Sequence, residues 1–482
     1  MTELAMAGLL FLPLLAAAAC LLLPRQWQGL VVAAALFPLP LCMFELTTAF
    51  LDNGILTLAV AGHAAPLGIF WRVDALSLVM LWLNLVLYLM VSLQALSPFP
   101  FQAENSQRFW PLMLLLLAGI NALLLSADLF NLYVTLELVT LSAVGLVTLS
   151  GKASALRAAM RYLLLGLMAS LLYLLGVGLI YAQTGTLDLF QAGGLMEPEL
   201  LPVTALVLMV TGLLVKAAVF PLHIWLPTAH GNAPGPVSAL LSAIVVKVAI
   251  YIIWRLWFWT ADGWDLSSAG LLLGLLGAGA ILYGSLLAMV QKRLKMVIAY
   301  STVAQLGYLM LVFPLASLLA WQAAVYHLVS HGLAKAAMFL AAANILAGLG
   351  TDRLRRLIGL DQRMPLDVFT LALASVTLIG LPPSGGFIAK WLFLQTAWAQ
   401  GAWGWVVVIS VGGLLAAIYL FRVLALTCFH PSSHGHEPGF NQPTRLASAA
   451  GLILALLAIA AGFASAPILD VLARGLPPGF ET

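Results

Sequence analysis

The chain has 482 residues, of which 63% are hydrophobic and 8% are charged, and its formal net charge at pH 7 is +3. About a quarter of the residues in a soluble domain are charged. The composition therefore excludes a soluble enzyme, a nucleic-acid-binding protein and a disordered chain. It predicts an all-α polytopic membrane protein.

Fourteen stretches are long and apolar enough to cross a bilayer, which takes roughly 20 residues of helix. The sequence therefore predicts about fourteen transmembrane helices joined by short loops, without an extramembrane domain. In chain order, the predicted spans are Leu4–Leu23, Gly29–Phe50, Ala75–Leu96, Phe109–Ser126, Leu129–Ser150, Ala155–Tyr181, Leu201–Leu222, Val237–Phe258, Ala269–Val290, Leu294–Phe313, Leu318–Leu349, Val368–Ala397, Trp403–Phe429 and Leu446–Ala464.

The basic residues of the loops and of the span ends that flank them are distributed unevenly between the two sides of the membrane. Because cytoplasmic loops are rich in Lys and Arg, the loops after odd-numbered spans are predicted to be cytoplasmic and both termini to lie on the outer, periplasmic side. Even-numbered loops and the C-terminal tail hold Arg72, Arg255 and Arg474. Odd-numbered loops and their flanks hold Arg25, Arg108, Lys152, Arg157, Arg161, Lys292, Arg293, Lys295, Arg353, Arg355, Arg356, Arg363, Arg422 and Arg445.

Four basic residues are not assigned to loops or to span ends, and all four are lysines inside spans: Lys216, Lys247, Lys335 and Lys390. Among the acids, Glu137 alone lies in the middle of a span. Each of these five groups costs at least about 2.5–3.5 kcal/mol at the bilayer centre. A desolvated lysine can release its proton near neutral pH, whereas arginine cannot. The choice of lysine at every deep basic position therefore favours proton transfer over a fixed charge. The alternative is that these lysines form interhelical salt bridges or extend to the membrane surface.

Histidines extend this pattern along one helix face. His327, His331 and Lys335 are spaced at i, i+4 and i+8, so they share a face of the eleventh span. They are interpreted as a proton relay, with packing as the alternative. A His-x3-His pair can also bind a metal, but the sequence supplies no third ligand or HExxH glutamate.

The other histidines lie at or beyond the span ends. His223 and His230 are equally consistent with hydrogen-bonded loop residues and with proton carriers. A solvated loop is predicted for His430, His434 and His436.

Prolines interrupt two spans close to buried lysines. Pro221 follows Lys216 in the seventh span, and Pro382 and Pro383 precede Lys390 in the twelfth. Proline removes a backbone donor, and unpaired carbonyls at membrane depth are tolerated where they face protein or a hydrated cavity. Each break is therefore predicted to mark a hydrated position.

Two interrupted helices five spans apart are typical of inverted repeats in transporters. Because the offset is odd, spans four to eight and nine to thirteen would have opposite orientations. This pattern divides the chain into an N-terminal three-helix segment (1–108), a first five-helix repeat (109–260), a second five-helix repeat (261–430), and the fourteenth span with its tail (431–482).

Five stretches of the sequence carry recognisable motifs: DLFNLYVTLELVTLSAVGLVTLSG, VKAAVFPLHIWLPTAHGNAPGPVSALLSAIVVKVAIY, RLKMVIAYSTVAQLGY, YHLVSHGLAKAAMFL and GLPPSGGFIAKW. They resemble a known family, the proton-translocating antiporter-like subunits of respiratory complex I, membrane-bound hydrogenases and Mrp-type multisubunit cation/proton antiporters. The resemblance covers about spans three to thirteen, and it implies the five-helix inverted repeat with broken spans seven and twelve.

The resemblance also implies roles for the buried residues. Glu137 matches the glutamate of the fifth span and is implied to pair with Lys216, the lysine before the seventh-span break. Lys247 matches the lysine that links two half-channels. The polar face of the eleventh span is matched by His327, His331 and Lys335.

Lys390 matches the lysine or glutamate of the family's twelfth span. A lysine there is more similar to the D-type subunit of Mrp antiporters or the N-type complex I subunit than to the M-type, which has glutamate. The segment around Glu137 and the presence of Lys335 favour the D-like branch. The chain ends soon after the fourteenth span, so the long lateral helix of the largest family members is not expected.

The predicted function is proton conduction along a midplane chain of Glu, Lys and His, as a D-type subunit of a Na⁺/H⁺ antiporter in a bacterial inner membrane. No redox, nucleotide, cofactor, metal or catalytic motif is recognised. The driving energy is therefore expected from other membrane subunits, with H⁺, and Na⁺ or K⁺, as transported ions. The alternatives are a proton-pumping subunit of a complex I-like or hydrogenase complex, a stand-alone secondary carrier, and a non-translocating scaffold or quinone-site subunit.

Overall fold

A computed structural model describes residues 1–63, 68–97, 106–428 and 442–480. Twelve helical segments in these ranges are long and apolar enough to cross a membrane. Two shorter apolar helices, Leu200–Lys216 and Pro365–Ile379, end at interruptions of the helix. Together they account for each of the fourteen predicted spans. The three loop histidines at positions 430, 434 and 436 lie outside the described residues.

The helices and two strands follow one another with short connections. In chain order they are α1 (Thr2–Leu22), α2 (Arg25–Leu36), α3 (Leu39–Asn53), β1 (Leu56–Ala59), β2 (Phe70–Val73), α4 (Ala75–Ala95), α5 (Ser106–Leu125), α6 (Leu129–Thr148), α7 (Ala153–Thr184), α8 (Leu189–Leu195), α9 (Leu200–Lys216), α10 (Leu226–Asn232), α11 (Gly235–Leu240), α12 (Val246–Arg255), α13 (Ser267–Val290), α14 (Leu294–Leu309), α15 (Val312–Leu315), α16 (Leu318–Leu349), α17 (Pro365–Ile379), α18 (Gly385–Ala399), α19 (Trp403–Cys428), α20 (Arg445–Phe463) and α21 (Ser465–Ala473).

The span Gly235–Thr260 is the most enclosed of the bundle. It consists of α11 and α12 with the π-helical stretches Leu241–Val245 and Leu256–Thr260, and its most apolar stretch is buried along its whole length. A helix that is apolar on all sides suits the interior of a large bundle as well as contact with lipid, and here the other helices enclose it. The small antiparallel hairpin of β1 and β2, in which Leu56 pairs with Val73, was not predicted from the sequence.

Loops that follow even-numbered spans meet on one face of the bundle, and loops that follow odd-numbered spans meet on the other. On one face, isolated bridges join Trp71 to Ser126 and Asp128 to Asp188, which belong to loops after even-numbered spans. On the other face, Arg293 pairs with Arg353 in the loops after the ninth and eleventh spans. We call these the even-loop face and the odd-loop face.

Element positions recur at a constant interval of 165 residues. Helices α6 and α14 begin at positions 129 and 294, and α9 and α17 begin at positions 200 and 365. Helices α7 and α16, which begin at positions 153 and 318, both contain 32 residues. The bridge between positions 128 and 188 has its counterpart between positions 293 and 353, on the opposite face.

A buried ion pair anchors α4 to α12 at the even-loop face. Both guanidinium nitrogens of Arg255 lie 2.6 Å from the carboxylate oxygens of Asp74, and Arg72 lies 3.5 Å from the same carboxylate. Burial disfavours the ionised form of Asp74, but the two arginines outweigh burial and lower the pKa of Asp74 to about 2. The side chain of Asp74 also caps α4 by accepting from the backbone N–H of Ser77.

Replacing Asp74 with asparagine is therefore expected to lower the free energy of unfolding by about 3–5 kcal/mol, because it leaves a buried arginine without its anion. Since the folded pKa lies below the usual value near 3.9, this stabilisation is fully present above about pH 5 and is lost as the pH falls toward 2. Thermal unfolding in detergent at pH 7 measures the effect. An Asp262→Asn variant, changed at an exposed carboxylate, is the control; equal midpoints for both variants would contradict the prediction.

Candidate functional site

The four lysines of the spans are buried in the bundle. Relative exposure is 7% for Lys216, 0% for Lys247, 0% for Lys335 and 6% for Lys390. None of them therefore extends its ammonium group to the membrane surface.

Lys216 and Glu137 form an ion pair where α9 breaks. Lys216 is the last residue of α9, and its Nζ lies 3.3 Å from Oε1 of Glu137 and 2.8 Å from the hydroxyl of Thr140. Ser170 of α7 donates a hydrogen bond to the same carboxylate. The break itself, the irregular segment between α9 and α10, contains Pro221.

Lys247 lies at the centre of the enclosed span. Its ammonium group donates to the carbonyl of Ala243 at 2.6 Å and to that of Ser242 at 3.4 Å. Both carbonyls belong to the π-helical stretch Leu241–Val245, in which the usual i→i−4 pattern is interrupted. The interruption provides polar partners for the ammonium group within an otherwise apolar span.

His327 and His331 stack on one face of α16. Their ring centroids are 5.7 Å apart and their planes differ by 8°. Nε2 of His327 lies 3.2 Å from the carbonyl oxygen of Gln305, whereas neither ring nitrogen of His331 has a hydrogen-bond partner among the described residues. His331 is close enough to interact electrostatically with three of the span lysines: Lys247, Lys335 and Lys390.

Lys335 continues the same face of α16 but turns toward α14. Its ammonium group donates to the carbonyl of Ile298 at 3.0 Å and to the hydroxyl of Ser301. Within the described ranges, no third His, Cys, Asp or Glu joins His327 and His331 in a group that would hold a metal ion. The face is thus built of basic and hydroxyl groups.

Lys390 caps the end of the first half of the broken twelfth span. Its ammonium group donates to the carbonyls of Leu378 and Ile379 at 2.9 and 2.8 Å. These carbonyls end α17, where the helix dipole is negative and favours a cation. Pro382 and Pro383 lie in the segment that separates α17 from α18.

The backbones on either side of this break approach closely. A Cβ atom at Gly386 would lie 1.9 Å from the carbonyl oxygen of Thr377, so only glycine permits the approach. The close approach keeps the two halves of the span in one rigid position beside Lys390.

A cavity adjoins the break. Its volume is about 160 Å³, and its wall includes Lys390, Trp391 and Ser410. The ring of Tyr308 lies between this part of the site and the α16 face, 4.8 Å from Nζ of Lys390 and 5.2 Å from the ring of His327. Lys390 is therefore in contact with a cavity on one side and with the aromatic ring that adjoins the histidines on the other.

The structure brings some of the predicted residues together and leaves others apart. Glu137 contacts Lys216, and a series of ring and electrostatic contacts connects Lys247 with Lys390 through the α16 histidines. Lys216 and Lys247 share no hydrogen-bond partner in the described part of the chain. His223 lies beside the first break, with its ring close to those of Phe220 and Tyr283.

Several polar partners of the site were not predicted from the sequence. Thr140 lies one helical turn after Glu137, and Gln305 lies one turn after Ser301. Polar residues one turn apart share a helix face, so this spacing could have marked them as partners of the site. A buried acid at a span end was also not predicted: Asp367, in the first turn of α17, is 2% exposed. Its two carboxylate oxygens accept hydrogen bonds of 2.7 and 2.9 Å from Asn344 and Ser448.

The sequence and the fold of this chain are similar to those of known proteins. The family described as "NADH:quinone oxidoreductase/Mrp antiporter, TM" matches residues 126–418, which is more than half of the chain. The chain belongs to this family. The match contains Glu137, both breaks and the four span lysines.

Two relatives represent two branches of the family. NADH-quinone oxidoreductase subunit N of Desulforudis audaxviator is 36% identical over 430 residues, which cover 86% of this chain and 85% of the relative. The D-type subunit of the Na(+)/H(+) antiporter of Alkalihalophilus pseudofirmus is 29% identical over 425 residues, which cover 86% of this chain and 85% of the relative.

The fold is also similar to a solved structure. A chain in the membrane-bound sulfane sulfur reductase, an archaeal respiratory membrane complex, is 27% identical and aligns with a TM-score of 0.90, covering 97% of this chain and 96% of that chain. The predicted multi-pass helical fold and the family resemblance are therefore confirmed. The solved relative belongs to a membrane complex.

Proposed function

We propose that this chain is the proton-conducting subunit of a multisubunit membrane complex, of the type found in Na⁺/H⁺ antiporters. Its residues for proton translocation are Glu137, Lys216, Lys247, Lys390 and the α16 face. The odd-loop face is cytoplasmic and both termini are on the outer side of a bacterial inner membrane. The excess of basic residues on the odd-numbered loops supports this orientation.

The observation that carries the proposal is the shortage of carboxylate partners. Among the described residues, Lys216 has Glu137 as its ion-pair partner, whereas the other three span lysines donate to carbonyls and hydroxyls. A structural role for buried lysines calls for charge compensation, because an uncompensated buried charge is strongly destabilising. Groups that alternate between ammonium and neutral amine need no permanent anion, and lysine permits this alternation.

The geometry supports a path with one regulated step at its beginning. Glu137 attracts the ammonium form of Lys216 across 3.3 Å and so holds a proton on it. When this pair separates, Lys216 releases its proton toward Lys247. The N–H bond broken at one nitrogen is replaced by an N–H bond at the next, through the α16 histidines, until Lys390 passes the proton to the adjoining cavity.

The two five-helix repeats, 109–260 and 261–430, are part of this proposal. The 165-residue interval between equivalent helices supports a repeat, and its paired bridges on opposite faces support the inversion. An inverted pair would give one half access to the odd-loop face and the other half access to the even-loop face.

Other membrane subunits are expected to cover the α6 side of the bundle. The side chain of Glu137 is 17% exposed at membrane depth, and an ionisable group exposed to hydrocarbon is costly. Contact with a neighbouring membrane protein would remove this cost and would allow that neighbour to displace Glu137 from Lys216. The ion movement or the electron transfer that drives proton transport would then act on the Glu137–Lys216 pair through this neighbouring subunit.

Copurification tests the proposed assembly. We would extract the tagged protein in mild detergent and identify its partners by mass spectrometry. Small hydrophobic antiporter subunits without redox proteins are the expected result. A lone polypeptide that still transports protons would overturn the complex and identify a secondary carrier.

A second candidate function is proton pumping in a redox-driven complex, and the 36% identity with a subunit N favours it. Iron–sulfur, quinone-reducing or hydrogenase subunits in the same preparation would establish this alternative. The proton path through the chain would be the same in both cases, because the source of energy lies outside it.

A further inference from the structure

A large cavity opens on the odd-loop face, away from both helix breaks. Its volume is about 600 Å³, and its wall includes Ser150, Lys152, Lys295, Asp352 and Arg353. The hydroxyl of Ser150 and one carboxylate oxygen of Asp352 are buried without hydrogen-bond partners among the described residues. Buried polar atoms of this kind are usually satisfied by water. We call this cavity the vestibule.

Lys295 forms the inner wall of the vestibule. The sequence places it on the flank of a cytoplasmic loop, as the second residue of the tenth predicted span. It is the second residue of α14, but it is only 1% exposed. Its ammonium group donates to the carbonyl of Ala233 at 2.5 Å. The nearby carboxylate of Asp352 is engaged by Arg293, at 2.9 Å. Lys295 is thus a fifth deeply buried lysine.

His230 belongs to α10, about one helical turn before Ala233, whose carbonyl accepts from Lys295. It is fully buried and stacks on Phe339 of α16 at a centroid distance of 4.8 Å. Neither of its ring nitrogens has a hydrogen-bond partner among the described residues. Lys295 and Lys335 both lie close enough to this ring to interact with it electrostatically.

We propose that Lys295 and His230 form a proton-access branch that connects the vestibule with Lys335. Lys295 gives the proton on its Nζ to a ring nitrogen of His230 and regains one from solvent in the vestibule. His230 then gives its proton to the neutral amine of Lys335. This proposal rests on the proposed function, and it places access from the odd-loop face at the middle of the path, where onward transfer still depends on the state of the Glu137–Lys216 pair.

The test uses the purified complex in proteoliposomes and three substitutions at one position. Lys295→Arg keeps the positive charge and a donor for the Ala233 carbonyl, but arginine does not deprotonate. Lys295→His restores a group that titrates near neutral pH. We expect proton flux to fall at least about tenfold in Lys295→Arg and Lys295→Met, and Lys295→His to recover a substantial part of it. Lys292→Arg, at an exposed lysine three residues earlier, is the matched control.

A merely structural Lys295 would give the opposite order, with Lys295→Arg active and Lys295→His impaired, and this order would overturn the proposal. His230→Gln provides an independent variant and is expected to lose flux to the same extent. Assembly is checked by copurification of the partner subunits. Failure of both Lys295→Met and His230→Gln to assemble would assign these side chains to packing and would also overturn the branch.

Lys216→Met in the same assay separates this proposal from the proposed function. If Lys216→Met is inactive while all Lys295 and His230 variants conduct at the wild-type rate, only the access branch is wrong. If Lys216→Met also conducts normally, the proposed function itself fails.

Discussion

Replacement of Lys216 with alanine is expected to abolish coupled proton transport while the complex stays assembled. Lys216 ends α9 at the first break and is the one span lysine that pairs with a carboxylate in the described part of the chain. Without its amine, the proton has no carrier between Glu137 and Lys247. Positioned proton-transfer groups contribute about 10²–10⁴-fold to rates, so proton flux should fall at least about a hundredfold.

The fold should tolerate this substitution. Glu137 retains the hydrogen bond from Ser170, so its carboxylate keeps a polar partner after the ammonium group is removed. Flux is measured by fluorescence quenching of a pH-sensitive dye in proteoliposomes. Lys292→Ala, at an exposed lysine of the odd-loop face, is the control. Wild-type flux by an assembled Lys216→Ala variant would remove Lys216 from the path.

Lys390→Arg tests whether the end of the path needs a titratable group or only a positive charge. Arginine keeps donors for the carbonyls of Leu378 and Ile379, and the adjoining cavity of about 160 Å³ leaves room for the larger head group. Because its guanidinium stays protonated, it cannot pass a proton on. We expect assembly at the wild-type level and a loss of flux of at least about a hundredfold.

Lys390→Met serves as the companion variant, since it removes both the charge and the proton carrier. Equal losses in the arginine and methionine variants would show that charge alone is insufficient. A Lys390→Arg variant with full flux would instead make Lys390 a fixed charge that caps α17, and the exit would have to be placed elsewhere.

The span architecture was accessible from the sequence because long apolar stretches and a skewed distribution of basic residues are direct consequences of the bilayer. The positions of both breaks followed from proline chemistry at Pro221 and Pro382. The pairing of Lys216 with Glu137, implied by the family resemblance, is present in the structure at 3.3 Å. These features depend on local sequence, on the solvent or on a motif of the family, so the linear sequence is enough to predict them.

Contacts between distant helices were not accessible in this way. Tyr308 and Gln305 connect α14 with the α16 histidines and with α17, but aromatic and amide residues in a span do not reveal their partners. Lys295 was assigned to the flank of a cytoplasmic loop because it lies at a span end, and its burial by the packing of α10 against α14 was not predicted. The β1–β2 hairpin was missed because short strands between spans leave little periodic signal.

The central claim is that the buried lysines of this chain carry protons. The most direct test is proton flux through the intact complex when both ends of the path are changed, in a Lys216→Ala/Lys390→Met double variant. We expect a complex with its full complement of subunits and no flux above that of protein-free vesicles. Flux at the wild-type rate in the assembled double variant would contradict this claim and would make the chain a scaffold subunit.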